Sequence, residues 1–127
     1  MIDYWFERVR EANAELIHEG TDLRKAKWRG NPHTLAGACY TLSEALAAIY
    51  TWLGHTVKVY TVHHEGDTHW FLRVDGQVID PTAEQFRTAV PYDEATRRGF
   101  LTKEVSKRTK VVLEKLGLDT EAVRVYR

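Results

Sequence analysis

Apolar residues recur at helical spacing from the start of the chain. Ile2, Trp5, Phe6, Val9, Ala12, Leu16 and Ile17 share one face, with charged residues in the gaps. This predicts an amphipathic helix over residues 3–19, stopped by Gly20. Residues 20–36 hold Gly20, Gly30 and Pro32 among several charges. They read as a surface connection with a short helical turn around 23–28, long enough to suggest a functional loop. From Cys39 to Leu53 the residues Tyr40, Leu42, Ala45, Leu46, Ile49 and Leu53 stand in helical register with few charges between them. This predicts a central helix buried on most sides, closed by Gly54.

The period then changes. Val57, Val59, Thr61 and His63 alternate with Lys58, Tyr60 and Val62, which predicts a strand over 56–63. A turn at Glu65-Gly66-Asp67 leads to a second strand over 68–74. The dipeptide Asp75-Gly76 is a strong two-residue hairpin turn, followed by a short strand over 77–80 that Pro81 ends. Beyond Pro81 the chain reads as helical and charged. Val105, Val111, Val112, Leu113 and Leu116 give a helical stripe over 102–116, closed by Gly117. Residues 122–126 alternate and suit an edge strand or a helix end. There are no repeats or low-complexity tracts. The expected architecture is one α+β domain over 1–127, with a central helix on a small antiparallel sheet and helices on either flank.

Composition narrows the class. A chain of 127 residues that is 43% hydrophobic can bury a core without staples. Lysine plus arginine equals aspartate plus glutamate at 18 each. The formal net charge is therefore zero, and whole-molecule electrostatics give no push toward nucleic acid or an anionic membrane. The single cysteine, Cys39, excludes an internal disulfide. No signal peptide or spanning apolar run is visible, and a reducing cytoplasm with a free thiol is the expectation.

Candidate chemistry follows from the hairpin. If Asp75-Gly76 is a two-residue turn, Val74 pairs with Gln77 and Phe71 faces Asp80. His69 and Asp80 then share a face as diagonal neighbours, roughly 7–8 Å apart at the backbone. A carboxylate beside an imidazole fixes its tautomer and stabilises the imidazolium. A surface His beside a turn-flanking Asp is the plainer alternative. Cys39 stands at the start of the central helix, where unpartnered amides and the helix dipole favour a thiolate and could hold an oxyanion. A buried, inert thiol is the commoner fate of a lone cysteine.

The run Gly37-Ala38-Cys39-Tyr40, then Thr68-His69-Trp70-Phe71-Leu72, then Val78-Ile79-Asp80-Pro81-Thr82, resembles the transglutaminase-like branch of the papain-like superfamily. The arylamine acetyltransferase and NlpC-type branches share the same logic. The resemblance covers residues 35–86. It implies a papain-like core, with Cys39 as nucleophile, His69 as base and acid, and Asp80 orienting the His. No cofactor is implied, and the partner is a peptide or protein substrate. The family's upstream glutamine has no clean counterpart. Asn31 and His33 are the polar residues at comparable distance, with Ala38 and Tyr40 beside the thiol and Trp28 as a groove residue. The stretch Gly99-Phe100-Leu101-Thr102 with Ser106-Lys107-Arg108 is also similar to small uncharacterised phage or mobile-element proteins, which says nothing about chemistry.

Other constellations are weaker. His63 and His64 point to opposite faces of a strand, and their spacing with His69 and Cys39 matches no zinc pattern; no metal is expected. Arg97, Arg98, Lys103, Lys107, Arg108, Lys110 and Lys115 form a local basic bias. It reads as a solvated helix face before a nucleic-acid patch, since no aromatics are interleaved. Trp52, Trp70, Phe71, Tyr40 and Tyr50 read as core, with Trp70 packing on a helix. Three functions remain open: a cysteine hydrolase or acyltransferase on an amide or thioester, a catalytically silent binding or inhibitor module, and nucleic-acid binding through the basic helix. Oligomeric state is not legible.

Overall fold

The first apolar stripe becomes a helix, Ile2–His18 (α1), with Val9, Ala12 and Leu16 buried. The structure is a computed structural model that describes residues 2–121 and 123. The second stripe becomes Cys39–Trp52 (α2), in which every residue from Leu42 to Tyr50 is buried. α2 is central because α1, a third helix at Lys107–Lys115 (α3) and the sheet all pack against it. The Tyr50 hydroxyl donates to the Ile2 carbonyl at 2.6 Å and ties α2 to the start of α1. Trp52, expected in the core, is 51% exposed. It sits in the last turn of α2, where Leu53 and Gly54 are exposed as well and the helix stands clear of the core.

Four strands, Val57–His64 (β1), Asp67–Val74 (β2), Gln77–Ile79 (β3) and Thr96–Arg98 (β4), form one antiparallel sheet in the order β3-β2-β1-β4. Both hairpin turns have two residues at positive φ: Glu65 at 49° with Gly66 at 88°, and Asp75 at 51° with Gly76 at 83°. Two consecutive positive values match the twist of the flanking strands and fix the register. Val74 pairs with Gln77 and Leu72 with Ile79, as the Asp75-Gly76 turn predicted. Trp70, Leu72 and Val74 therefore face α2, and the Ser43 hydroxyl donates to the Trp70 carbonyl at 3.2 Å. His69 and Phe71 face the other way.

The chain after Pro81 corrects the helical expectation. It forms 3-10 turns at Ala83–Gln85 and Tyr92–Glu94, and then β4, which pairs with β1. Between Pro81 and Pro91 the only large apolar residues are Phe86 and Val90, too thin a stripe to hold a helix on a core. The segment instead covers the second face of the sheet. Phe86 meets the His69 ring edge-on at 4.7 Å, and Tyr92 meets Phe71 at 4.9 Å. Glu65 anchors the crossing by accepting from Arg87 N at 3.0 Å, Thr88 N at 2.9 Å and the Thr88 hydroxyl at 2.6 Å.

α3 starts at Lys107, later than the expected 102, because Ser106 is its cap. The buried Glu44 carboxylate of α2 accepts from Ser106 N at 3.0 Å, the Ser106 hydroxyl at 2.7 Å and the Thr109 hydroxyl at 2.7 Å. The expected turn at 23–28 is a single turn in which Trp28 N and Arg29 N both donate to the Lys25 carbonyl, at 2.9 and 3.2 Å. The expectation for 122–126 lies outside the described residues except for Val123, which is buried. Among the described residues no helix is long and apolar enough to cross a membrane.

Candidate active site

The loop before α2 is shaped by one buried cation. Arg24 is 3% exposed, and its guanidinium uses all three nitrogens. Nε and Nη2 donate to the Asp22 carboxylate at 2.8 and 2.6 Å, and Nη2 also donates to the Asn31 carbonyl at 3.0 Å. Nη1 donates to the His33 and Ala36 carbonyls at 2.9 and 3.0 Å. The hydrogen bond from Arg24 holds the Asp22 carboxyl well below the usual carboxylate range, against the opposing pull of burial. A planar fork with five donors is what this hub requires. The loop ends at Gly37, whose φ of 77° and close approach to Trp28 both exclude a side chain: an added Cβ would lie 2.3 Å from the indole.

Cys39 follows as the first residue of α2. Ala38 at the N-cap supplies no side-chain acceptor, so the first-turn amides gain no cap from it. The thiol is partly exposed, with Sγ 4.0 Å from the Thr68 carbonyl oxygen at the start of β2. The next residue, His69, is 1% exposed. Its Nε2 lies 2.7 Å from Asp80 Oδ2, in the diagonal placement the hairpin register predicts. A carboxylate only accepts, so Nε2 carries a proton. Asp80 is held in turn: the Tyr92 hydroxyl donates to Oδ2 at 2.8 Å and Thr82 N donates to Oδ1 at 3.2 Å. Burial first, then the charge and hydrogen bond of Asp80, keep the Tyr92 phenol well above its ordinary range, so it remains a donor.

The other ring nitrogen, Nδ1, is buried with no hydrogen-bond partner among the described residues. Native structures rarely leave such an atom unpaired without a reason. Burial is the largest influence on the ring and opposes its charge. The hydrogen bond and charge of Asp80, with the neighbouring Cys39 sulfur, outweigh burial and raise the pKa to about 9. The imidazolium is thus favoured by folding. Its contribution is complete below the ordinary value of about 6.5 and is lost as pH rises through about 9. Denaturant titrations at pH 6 and above pH 9 should show a loss of up to about 3 kcal/mol across that window. A stability that stays flat there would contradict this coupling.

Cys39 and His69 open into a cleft of about 750 Å³. Trp28 and Tyr40 line it, together with Trp70, Phe86 and Gln85. The Tyr40 hydroxyl accepts from Leu101 N at 2.8 Å and so joins α2 to the far wall. Ala38 is buried in a small apolar cluster with Leu35 and Leu42, and not in the cleft wall. Asn31 and His33 also lie outside the lining. Asn31 Oδ1 accepts from His33 N at 2.8 Å, and His33 Nε2 lies 3.2 Å from the Glu84 carbonyl oxygen.

Two polar residues of the site were missed. Tyr92 supports Asp80. Gln85 accepts from Gly37 N at 3.2 Å through Oε1 and donates to the Thr82 hydroxyl at 2.9 Å through Nε2. Both arrive on the irregular 82–95 segment, where no periodicity marks them. Lys107 and Arg108, read as a solvated face, line the cleft. Among the described residues no three His, Cys, Asp or Glu side chains converge as a metal site. The arrangement can place a nucleophilic sulfur, a proton carrier and a carboxylate in sequence beside an open cleft. Comparison with protein-family models, with curated proteins and with solved structures gives no match.

Proposed function

We propose that this chain is a cysteine hydrolase or acyltransferase that cleaves an amide or thioester bond through a thioester on Cys39, built on the papain-like, transglutaminase-like plan. One observation carries the reading. A buried imidazole has one nitrogen tied to a buried carboxylate and leaves the other unbonded, with the Cys39 thiol close enough to raise its basicity. Apo geometry of this kind tightens when substrate binds.

In the first half-reaction Cys39 Sγ attacks the carbonyl carbon and its electron pair moves to oxygen. The uncapped start of α2 provides amides for that oxyanion, and Gln85 stands on the same wall. His69 then gives a proton to the leaving nitrogen or sulfur, the bond to the carbonyl breaks, and the thioester remains. In the second half-reaction His69 takes a proton from water or an acceptor amine, which attacks the thioester and releases Cys39. Asp80 keeps the ring oriented and supports its charge in both halves.

Iodoacetamide labelling at pH 6 tests the pair without a known substrate. Cys39 should react roughly tenfold or more faster than free cysteine, which is almost wholly protonated at that pH. His69→Ala should erase the excess, and Cys39→Ala should remove all turnover while circular dichroism stays unchanged. A wild-type rate no higher than free cysteine would leave a scaffold that binds without catalysing.

A further inference from the structure

We propose that the segment this cleft takes is an acidic peptide, with Asp or Glu on both sides of the reacting acyl group; this rests on the catalytic reading above. Four cations line the cleft: Lys25 and Lys27 from the loop before α2, and Lys107 and Arg108 from the first turn of α3. Lys27 pairs with Asp67 at 2.9 Å and lies over the Trp28 ring. Among the described residues Lys25, Lys107 and Arg108 form no ion pair. The two lining carboxylates are already engaged, Asp67 by Lys27 and Glu65 by the backbone and hydroxyl of the 87–88 segment. The open charge of the cleft is therefore positive on a chain whose formal net charge is zero.

The placement of Lys107 and Arg108 adds a second argument. The first turn of a helix favours acidic side chains, because its amides carry partial positive charge. α3 has no acidic residue there and two basic ones. The Glu44 carboxylate of α2 supplies the negative charge at that helix start, and the two basic side chains line the cleft, where an anionic ligand would meet them. A polypeptide suits the site better than a polyphosphate chain. The attacking thiol needs a carbonyl carbon, which a phosphate chain does not offer. Leu101, 73% exposed on the same lining, offers contact to an apolar residue between the acidic ones.

Matched peptidyl chloromethyl ketones that differ only in flanking Glu, Gln or Lys test this by their rates of Cys39 alkylation. The Glu probe should react about tenfold or more faster than the Lys probe near 0.05 M salt, and the ratio should shrink near about 0.5 M. The double variant Lys107→Glu/Arg108→Glu should reverse the ratio. Lys110→Glu, outside the cleft lining, should leave it near the wild-type value. Iodoacetamide run alongside separates the two failures. Loss of its enhanced rate overturns the catalytic reading, whereas an enhanced rate with equal Glu and Lys probes overturns the acidic-peptide inference alone. Stronger protection of Cys39 by a single-stranded oligonucleotide than by a Glu-rich peptide would also overturn it, in favour of a nucleic acid.

Discussion

Asp80→Asn should cut turnover by about 10³–10⁴-fold, the scale of loss when a triad carboxylate becomes an amide. The reason is specific to this site. Burial opposes charge on His69, and the hydrogen bond and charge of Asp80 are prominent among the influences that overcome it. An amide keeps the shape and one acceptor but withdraws the charge, so the ring should titrate far below its raised value. The same variant should flatten the stability profile between pH 6 and 9. Tyr92→Phe should act more gently. It removes one hydrogen bond to Asp80 Oδ2 and leaves the carboxylate in place, which is worth about 1–2 kcal/mol or roughly tenfold in rate. Equal activity of wild type and Asp80→Asn, with both proteins folded, would mean that the carboxylate serves structure alone.

Arg24→Met should cost about 3–5 kcal/mol of stability, the range for removing one partner of a buried pair. Methionine fills much of the volume but donates nothing. The Asp22 carboxylate loses its counter-charge, and the carbonyls of Asn31, His33 and Ala36 lose their donor. Those carbonyls belong to the segment that delivers Gly37 and Cys39. Urea denaturation measures the loss, and iodoacetamide labelling measures whether the thiol is still presented to His69. Arg24→Lys should recover little, since an ammonium cannot reproduce the fork. A loss below about 1 kcal/mol for Arg24→Met would show that the loop holds itself.

The legible parts of the site were those with a period or a turn behind them. Asp75-Gly76 fixed the β2–β3 register, and the register put His69 and Asp80 on one face. The apolar spacing after Cys39 placed the thiol at the start of α2. Tyr92, Gln85 and Phe86 were hidden because they reach the site on a segment without regular structure. Its course is set by the anchor at Glu65 and by the need to cover His69 and Phe71. β4 was missed for the same reason: Thr96–Arg98 is short, charged and exposed, and it forms because the edge of β1 is open. Arg24 looked like one charge among several in a loop. Nothing in its neighbours signals burial, which comes from five hydrogen bonds closed within its own segment. Lys107 and Arg108 read as solvent-facing because helical period alone does not say that the first turn of α3 borders a cleft.

The central claim is that Cys39 and His69 act as one coupled pair, and the titration of the His69 ring by NMR tests it most directly. In the wild type the ring should titrate with a pKa raised to about 9, with Cys39 among the groups that raise it. In Cys39→Ala that contribution is gone, and the value should fall while Asp80 still holds Nε2. A wild-type ring titrating near the ordinary value of about 6.5, or a raised value that Cys39→Ala leaves unchanged, would contradict the pair.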